Sequence, residues 1–387
     1  MSDWFEGFRS SVRRRGRAKG ARGLERSPVV RSIMALGIVV AFLAAGAGSM
    51  VTADGDDDED APRFGDWSPP MNLGPVVNSD VSDLGSAISR DGRSLFFSRP
   101  GGALPSDVWV SQRSSRHAPW GPPVSIGPTV NTAANEGIPA LSRDDHWMFM
   151  NSNRFGSFGL DDLWVSYREN IHDDFGWQTP VNLGPGVNSA FADQGAGYFE
   201  HGECKDDDDD DDDVEREGGR RGTRGGRDND DDDDEEECAA FLYFNSNRPG
   251  GIGLLDIYVS ERMPDGSFGA AELVEELSSP TRDQRPNVRF DGLELFLWSD
   301  RPGSLGLDIW VSTRDAVTDP WTPPVNLGPI VNSPLLEAQA YISSDGKTLY
   351  FSSTRPGGLG GYDLYVTTRT VLHNGEDDDD EDDREDD

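Results

Sequence analysis

Thiols and imidazoles are scarce. The 387-residue chain carries two cysteines and five histidines, and no set of them falls at metal-ligand spacing. No Gly-x-Ser-x-Gly stretch is present, so there is no nucleophile elbow. The part of the chain beyond residue 53 has no basic stripe to meet phosphates, which argues against a nucleic-acid partner. Apolar residues run together once, near the N-terminus. These absences remove the metal-ligand and nucleophile-elbow signatures, while the proximity of Ser, His and Asp side chains is not a property that a linear sequence displays.

The two cysteines bracket an acidic stretch, Cys204 before it and Cys238 after it. In an oxidising compartment this placement reads as a disulfide pinching the neck of a loop, with a loop-closure contribution on the order of 3–4 kcal/mol. The compartment follows from the N-terminus, which is basic up to Arg31 and then uncharged from Ser32 to Ala53. Such a segment is either a secretory signal cleaved after Ala53 or a retained single anchor. Arginines on the near side and DGDDDED on the far side place the rest of the chain outside the cytoplasm in both cases. The expected localisation is therefore secreted or periplasmic, or anchored with the membrane touched only by residues 33–53.

Acidic charge is abundant but concentrated. The formal net charge is −36, and residues 54–60, 206–237 and 376–387 together hold 36 of the 71 acidic residues. Tracts of this kind repel themselves and solvate the chain. No cofactor is expected. Diffuse, weak calcium binding by the tracts is the one cation chemistry their carboxylates suggest.

What fills the remainder is repetition. NSNRPGGIGLLDIYVSER, starting at Asn245, returns with small changes from Ser98, Asn151, Trp298 and Ser352, and its Asp-x-Trp/Tyr-Val segment opens at Asp107, Asp162, Asp256, Asp308 and Asp363. The gaps are 55, 94, 52 and 55 residues, the long one containing the acidic insertion. A period near fifty suits a four-stranded propeller blade, and each repeat divides into four short strands, a to d, bounded by Gly, Pro, Asn and Asp. Strand d is marked by Trp120, Trp177 and Trp321, with a degenerate copy at Phe268. One further copy, WSPPMNLG from Trp67, precedes any blade. The chain leaves its last repeat at strand c, so the early d strand is expected to pair with it and close the ring.

These residues resemble a known family. The Ser-x-Asp-Gly turn (Ser89 to Gly92, Ser343 to Gly346), the Arg-Pro-Gly-Gly loop and the Asp-x-Trp/Tyr-Val strand are similar to the WD-like propeller repeats of the TolB type. That resemblance implies a propeller of an exported, scaffold-like kind and leaves the partner open. The predicted fold is all-β, a five-bladed propeller of four-stranded antiparallel blades closed by an N-terminal strand. The chain divides into a basic segment (1–32), the signal or anchor (33–53), an acidic linker (54–63), the propeller (64–370, interrupted by the insertion at 203–239) and an acidic tail (371–387).

Strand directions assign faces. Strands a and c begin on one side, the top, while the a-to-b turns lie on the bottom with His146, His201 and the insertion. Strand a begins with an acidic residue in every blade: Asp83, Glu136, Asp193, Asp283 and Glu337. Strand b ends with Arg99, Arg154, Arg248, Arg301 and Arg355. With the five strand-c aspartates these read as a structural network repeated in each blade. The same acids are also candidate channel-mouth carboxylates. Gln194, Gln284, Arg285 and Gln339 break the symmetry and form a candidate polar pocket. Trp109, Trp164, Tyr258, Trp310 and Tyr365 are expected to pack between blades. The expected function is an exported, non-catalytic module binding a protein or polysaccharide through the top face. The alternatives are a carbohydrate-active hydrolase using inner carboxylates such as Asp193, Asp283 and Glu337, and calcium-dependent adhesion through the acidic tracts.

Overall fold

The computed structural model describes residues 62–100, 105–202 and 239–372. The chain divides into two compact units at Arg63, and the fold belongs to the one that starts at Phe64. Its main sheets are five antiparallel four-stranded ones, as the repeat predicts. The Cys204–Cys238 pairing, the export segment and all three acidic tracts lie outside the described residues. Among the described residues no helix is long and apolar enough to cross a membrane.

Strands a to d of blade 1 are Leu84–Ile88, Ser94–Pro100, Ser106–Gln112 and Val124–Ser125. Blade 2 consists of Glu136–Leu141, Trp147–Ser152, Asp162–Tyr167 and Val181–Asn182. In blade 3 they are Asp193–His201, Ala239–Ser246, Asp256–Glu261 and Glu272–Leu273; in blade 4, Asp283–Val288, Glu294–Ser299, Asp308–Thr313 and Val325–Asn326. Blade 5 takes Glu337–Ile342, Thr348–Ser353 and Asp363–Thr368 from the end of the chain and Met71–Asn72 from its beginning, with Met71 opposite Val366 and Asn72 opposite Tyr365. The ring therefore closes through the early WSPPMNLG copy.

Each a strand touches the a strand of the next blade, and blade 5 returns to blade 1, so the five a strands surround a common axis. The b strands are sandwiched between blades and read as near-continuous apolar runs; Phe96, Phe97, Met148, Phe244, Phe296 and Phe351 are fully buried there. Every a strand slips register at the same place. The slip is built on one left-handed residue per blade, Gly85 (φ 64°), Ile138 (53°), Gly195 (66°), Arg285 (48°) and Gln339 (61°). A bulge of this kind re-aims backbone groups, and here it does so toward the axis.

Candidate functional site

The arginine at the end of each b strand has three partners. Its guanidinium meets the strand-a carboxylate, at 2.6 Å for Arg99–Asp83, 3.2 Å for Arg154–Glu136, 2.6 Å for Arg248–Asp193 and 3.1 Å for Arg355–Glu337, and Arg301 meets Asp283 likewise. It donates to a carbonyl in the loop before strand a, that of Val77, Val130, Val187, Leu277 or Val331. It also lies over the strand-c aromatic, 4.8–5.3 Å from the ring centres of Trp109, Trp164, Tyr258, Trp310 and Tyr365. The carboxylates take further N–H and hydroxyl bonds from Ser79, Thr132, Ser189 and Ser333, and Asp283 takes an N–H from Ser279. All five acids are fully buried, which leaves no lone pair facing solvent to receive a ligand.

The strand-c aspartates complete the same unit. Asp162, Asp256, Asp308 and Asp363 accept N–H groups from Phe158, Gly253, Leu305 and Leu359 in their own b-to-c loops. Asn182, Asn326 and Asn72 of strand d donate to Asp162, Asp308 and Asp363 at 2.8, 2.7 and 2.9 Å. Asp107 is half-buried, and burial followed by the charge of Glu136 raises its pKa.

Of the four polar residues read as a pocket, two meet. Arg285 is buried on the axis, where it donates to the Gln339 carbonyl (3.0 Å) and Oε1 (3.2 Å). It also reaches the carbonyls of Ser86 (2.6 Å) and Pro139 (3.1 Å), so one side chain from blade 4 ties blades 1, 2 and 5 together. No carboxylate is among these partners, and burial lowers its pKa from 12.5 to about 9. Gln194 turns away to Asp161 at 2.7 Å. Gln284 is half-buried in strand a of blade 4, opposite Trp298.

A cavity opens at the other end of the axis, on the bottom face, and all five blades line it. Its rim comes from the second position of the a-to-b turns: Arg90, Arg143, Phe290 and Ser344 from blades 1, 2, 4 and 5, with Glu200 from blade 3. Asp145 also lines it. The last residue of this turn is glycine in three blades, Gly92, Gly292 and Gly346, with φ of 70°, 76° and 67°. Blade 2 places Asp145 there at φ 63°, a conformation aspartate tolerates better than most side chains but at a cost. The Asp145 carboxylate accepts the backbone N–H of Arg90 at 2.8 Å. Burial, reinforced by the charges of Asp91 and Asp144 and opposed by that hydrogen bond and by Arg168, raises its pKa from 3.8 to about 7. Beside it the Tyr198 hydroxyl donates to Glu200, and burial together with the Glu200 charge pushes the phenol well above its ordinary range.

The repeat pattern marks the Ser-x-Asp-Gly turn at Ser89–Gly92 and Ser343–Gly346 and does not single out Asp145. The signal was the aspartate standing where the other turns need glycine. His146 does sit at the bottom, its ring stacked on Tyr167 and its Nδ1 2.7 Å from the Arg168 carbonyl. Among the described residues no group of His, Cys, Asp and Glu is arranged to hold a metal ion.

No protein-family model matches the chain, and no curated protein matches it. Solved structures do. An α-L-arabinofuranosidase from Podospora anserina in complex with cellotriose is similar at 12% identity and TM-score 0.48, over 81% of this chain and 99% of that one. A GH62 hydrolase in complex with xylotriose is similar at 10% identity and TM-score 0.49, over 78% and 97%. TolB from Acinetobacter baumannii is similar at 12% identity and TM-score 0.40, over 75% of this chain and 55% of that one. At these identities the likeness is one of fold, and the TolB-type resemblance is met at the level of the propeller. The expectation of a non-catalytic module binding through the top face is corrected. The strand-a carboxylates that would have formed the top-face site are fully buried and enclosed in ion pairs with the strand-b arginines.

Proposed function

We propose that the chain is an exported carbohydrate-active hydrolase whose reacting groups lie in the axial cavity of the bottom face, with Asp145 as proton donor and Glu200 as the second carboxylate. One observation carries this reading: in a turn shared by four blades, three keep glycine and one replaces it by a strained, buried aspartate whose carboxyl is protonated up to about pH 7 and lines a cavity shared with another carboxyl group. Catalytic groups break a scaffold's symmetry, whereas groups present in every blade serve a need that every blade shares. Glycoside hydrolysis asks for such a pair, one acid held neutral and one carboxylate. Asp145 would pass its proton to the glycosidic oxygen as the bond to the anomeric carbon breaks. Water would add to that carbon, losing its proton to Glu200, and solvent exchange would return both groups to their starting states. The arginine-flanked apolar segment at residues 33–53 supports action outside the cytoplasm.

The test is to incubate the full chain with an oligosaccharide pool that includes cellotriose and xylotriose and to follow chain shortening by mass spectrometry. Shortened products are expected, with Asp145→Asn slowing their formation by roughly a hundredfold or more while the variant still melts cooperatively. A pool left intact by the native protein would overturn the reading.

A further inference from the structure

The rim of the cavity says more than its floor. The second turn position is equivalent in blades 1, 2, 4 and 5, yet its occupants are two arginines on adjacent blades, a phenylalanine and a serine, and Glu200 near the end of strand a completes the rim in blade 3. The two arginines differ in state. Arg143 has its guanidinium 3.9 Å from the centre of the Phe290 ring, which parks a cation at the rim. Arg90 is exposed, and among the described residues its guanidinium has no hydrogen bond or ion pair; only its backbone is engaged, donating to Asp145 and accepting from Arg116 and Ser344. An arginine whose main chain is fixed against the proposed proton donor while its guanidinium has no partner among the described residues is placed to bind an anion at the cavity mouth.

We infer that the ligand carries a carboxylate, and that the substrate class is a uronic-acid-containing oligosaccharide. This rests on the hydrolase reading for the reaction and on the rim alone for the charge. A sugar carboxylate is planar and matches the guanidinium fork, so Arg90 can take it with two parallel N–H bonds. The net charge of −36 opposes an anionic ligand at long range, but in physiological salt the screening length is about 8 Å. The contact between guanidinium and carboxylate therefore decides, and like charge beyond that length weakens capture without preventing it. Neutral sugars would leave Arg90 unpaired.

The experiment compares kcat/KM of the full chain on a galacturonate trisaccharide and on xylotriose, in native protein and in Arg90→Ala. The native protein is expected to prefer the uronate by roughly tenfold or more, and Arg90→Ala to reduce that ratio by about the same factor, the scale of one charge-assisted bond. Equal rates on the two sugars, or an equal loss on both in Arg90→Ala, would overturn the inference and leave the hydrolase reading standing. If neither sugar is cleaved, calorimetry of the galacturonate trisaccharide separates the two claims. Binding that Arg90→Ala abolishes upholds the anion site without the reaction, and absence of binding removes both.

Discussion

Asp145 and Gly92 occupy the same position in the turns of adjacent blades, both left-handed, at φ 63° and 70°. The glycine pays no steric penalty there, while the aspartate accepts strain and then reaches across to accept the N–H of Arg90, two residues before that glycine. Its carboxyl is thereby held in a buried place where the neutral form is favoured.

A pH dependence of stability follows. The folded-state pKa of Asp145 is raised from 3.8 to about 7, so its contribution is complete below about pH 4 and is lost as pH rises through 7. At about 1.4 kcal/mol per pKa unit the loss is of the order of a few kcal/mol. Asp145→Asn, which cannot ionise and keeps an acceptor oxygen for Arg90, should flatten the urea-denaturation profile between pH 4.5 and 8. It should also exceed the native protein in stability at pH 8. An unchanged slope would show that Asp145 does not titrate in this window.

Turnover should fall over the same range for a related reason. A proton donor works only while protonated, so kcat is expected to decline as pH rises through about 7. A pH–rate profile that rises through 7 would assign the proton donor elsewhere.

The top-face carboxylates should respond differently. Glu337 accepts from Ser333, Ser353 and Arg355 with no exposure to solvent. Glu337→Gln leaves Arg355 without its counter-charge, and a destabilisation of about 2–4 kcal/mol is expected, read as a lowered melting temperature. Activity per folded molecule should hold. Normal melting with lost turnover would move the chemistry to the top face.

Arg285 offers a cleaner test of the axis. Arg285→Ala removes the donors for the carbonyls of Ser86, Pro139 and Gln339 at once, and a loss of roughly 3–5 kcal/mol is expected. Guanidinium at sub-denaturing concentration should raise the melting temperature of this variant while lowering that of the native protein, because the small cation can refill the place of the missing side chain. Identical responses in both proteins would mean that the carbonyls find other partners.

Ring closure is the last prediction. Removal of residues 66–74 takes away the strand opposite Val366 and Tyr365 and the Trp67 ring packed edge-on against Phe296. An exposed strand edge invites pairing with another chain, so the shortened protein is expected to self-associate in size-exclusion chromatography and to lose its sharp melting transition. A stable monomer would show that the ring tolerates being open.

Much of this molecule is local and was therefore legible before any coordinates. Turn residues, strand alternation and a period near fifty act over a few residues at a time, so the blades, their faces and the use of WSPPMNLG to close blade 5 follow from the chain itself. The arginine–carboxylate unit was legible for the same reason, since its members recur at fixed offsets in every repeat. What the tertiary structure alone decided is how residues far apart in the chain meet around the axis. Arg285 joins Ser86, Pro139 and Gln339, which lie 199, 146 and 54 residues away, and no local pattern encodes that convergence. Burial likewise separates carboxylates that look alike in the sequence: Asp83 is locked to Arg99 inside blade 1, and Asp145 is left to face a cavity. That difference is set by solvent exclusion and neighbouring charge, which exist only once five blades have closed around a common centre.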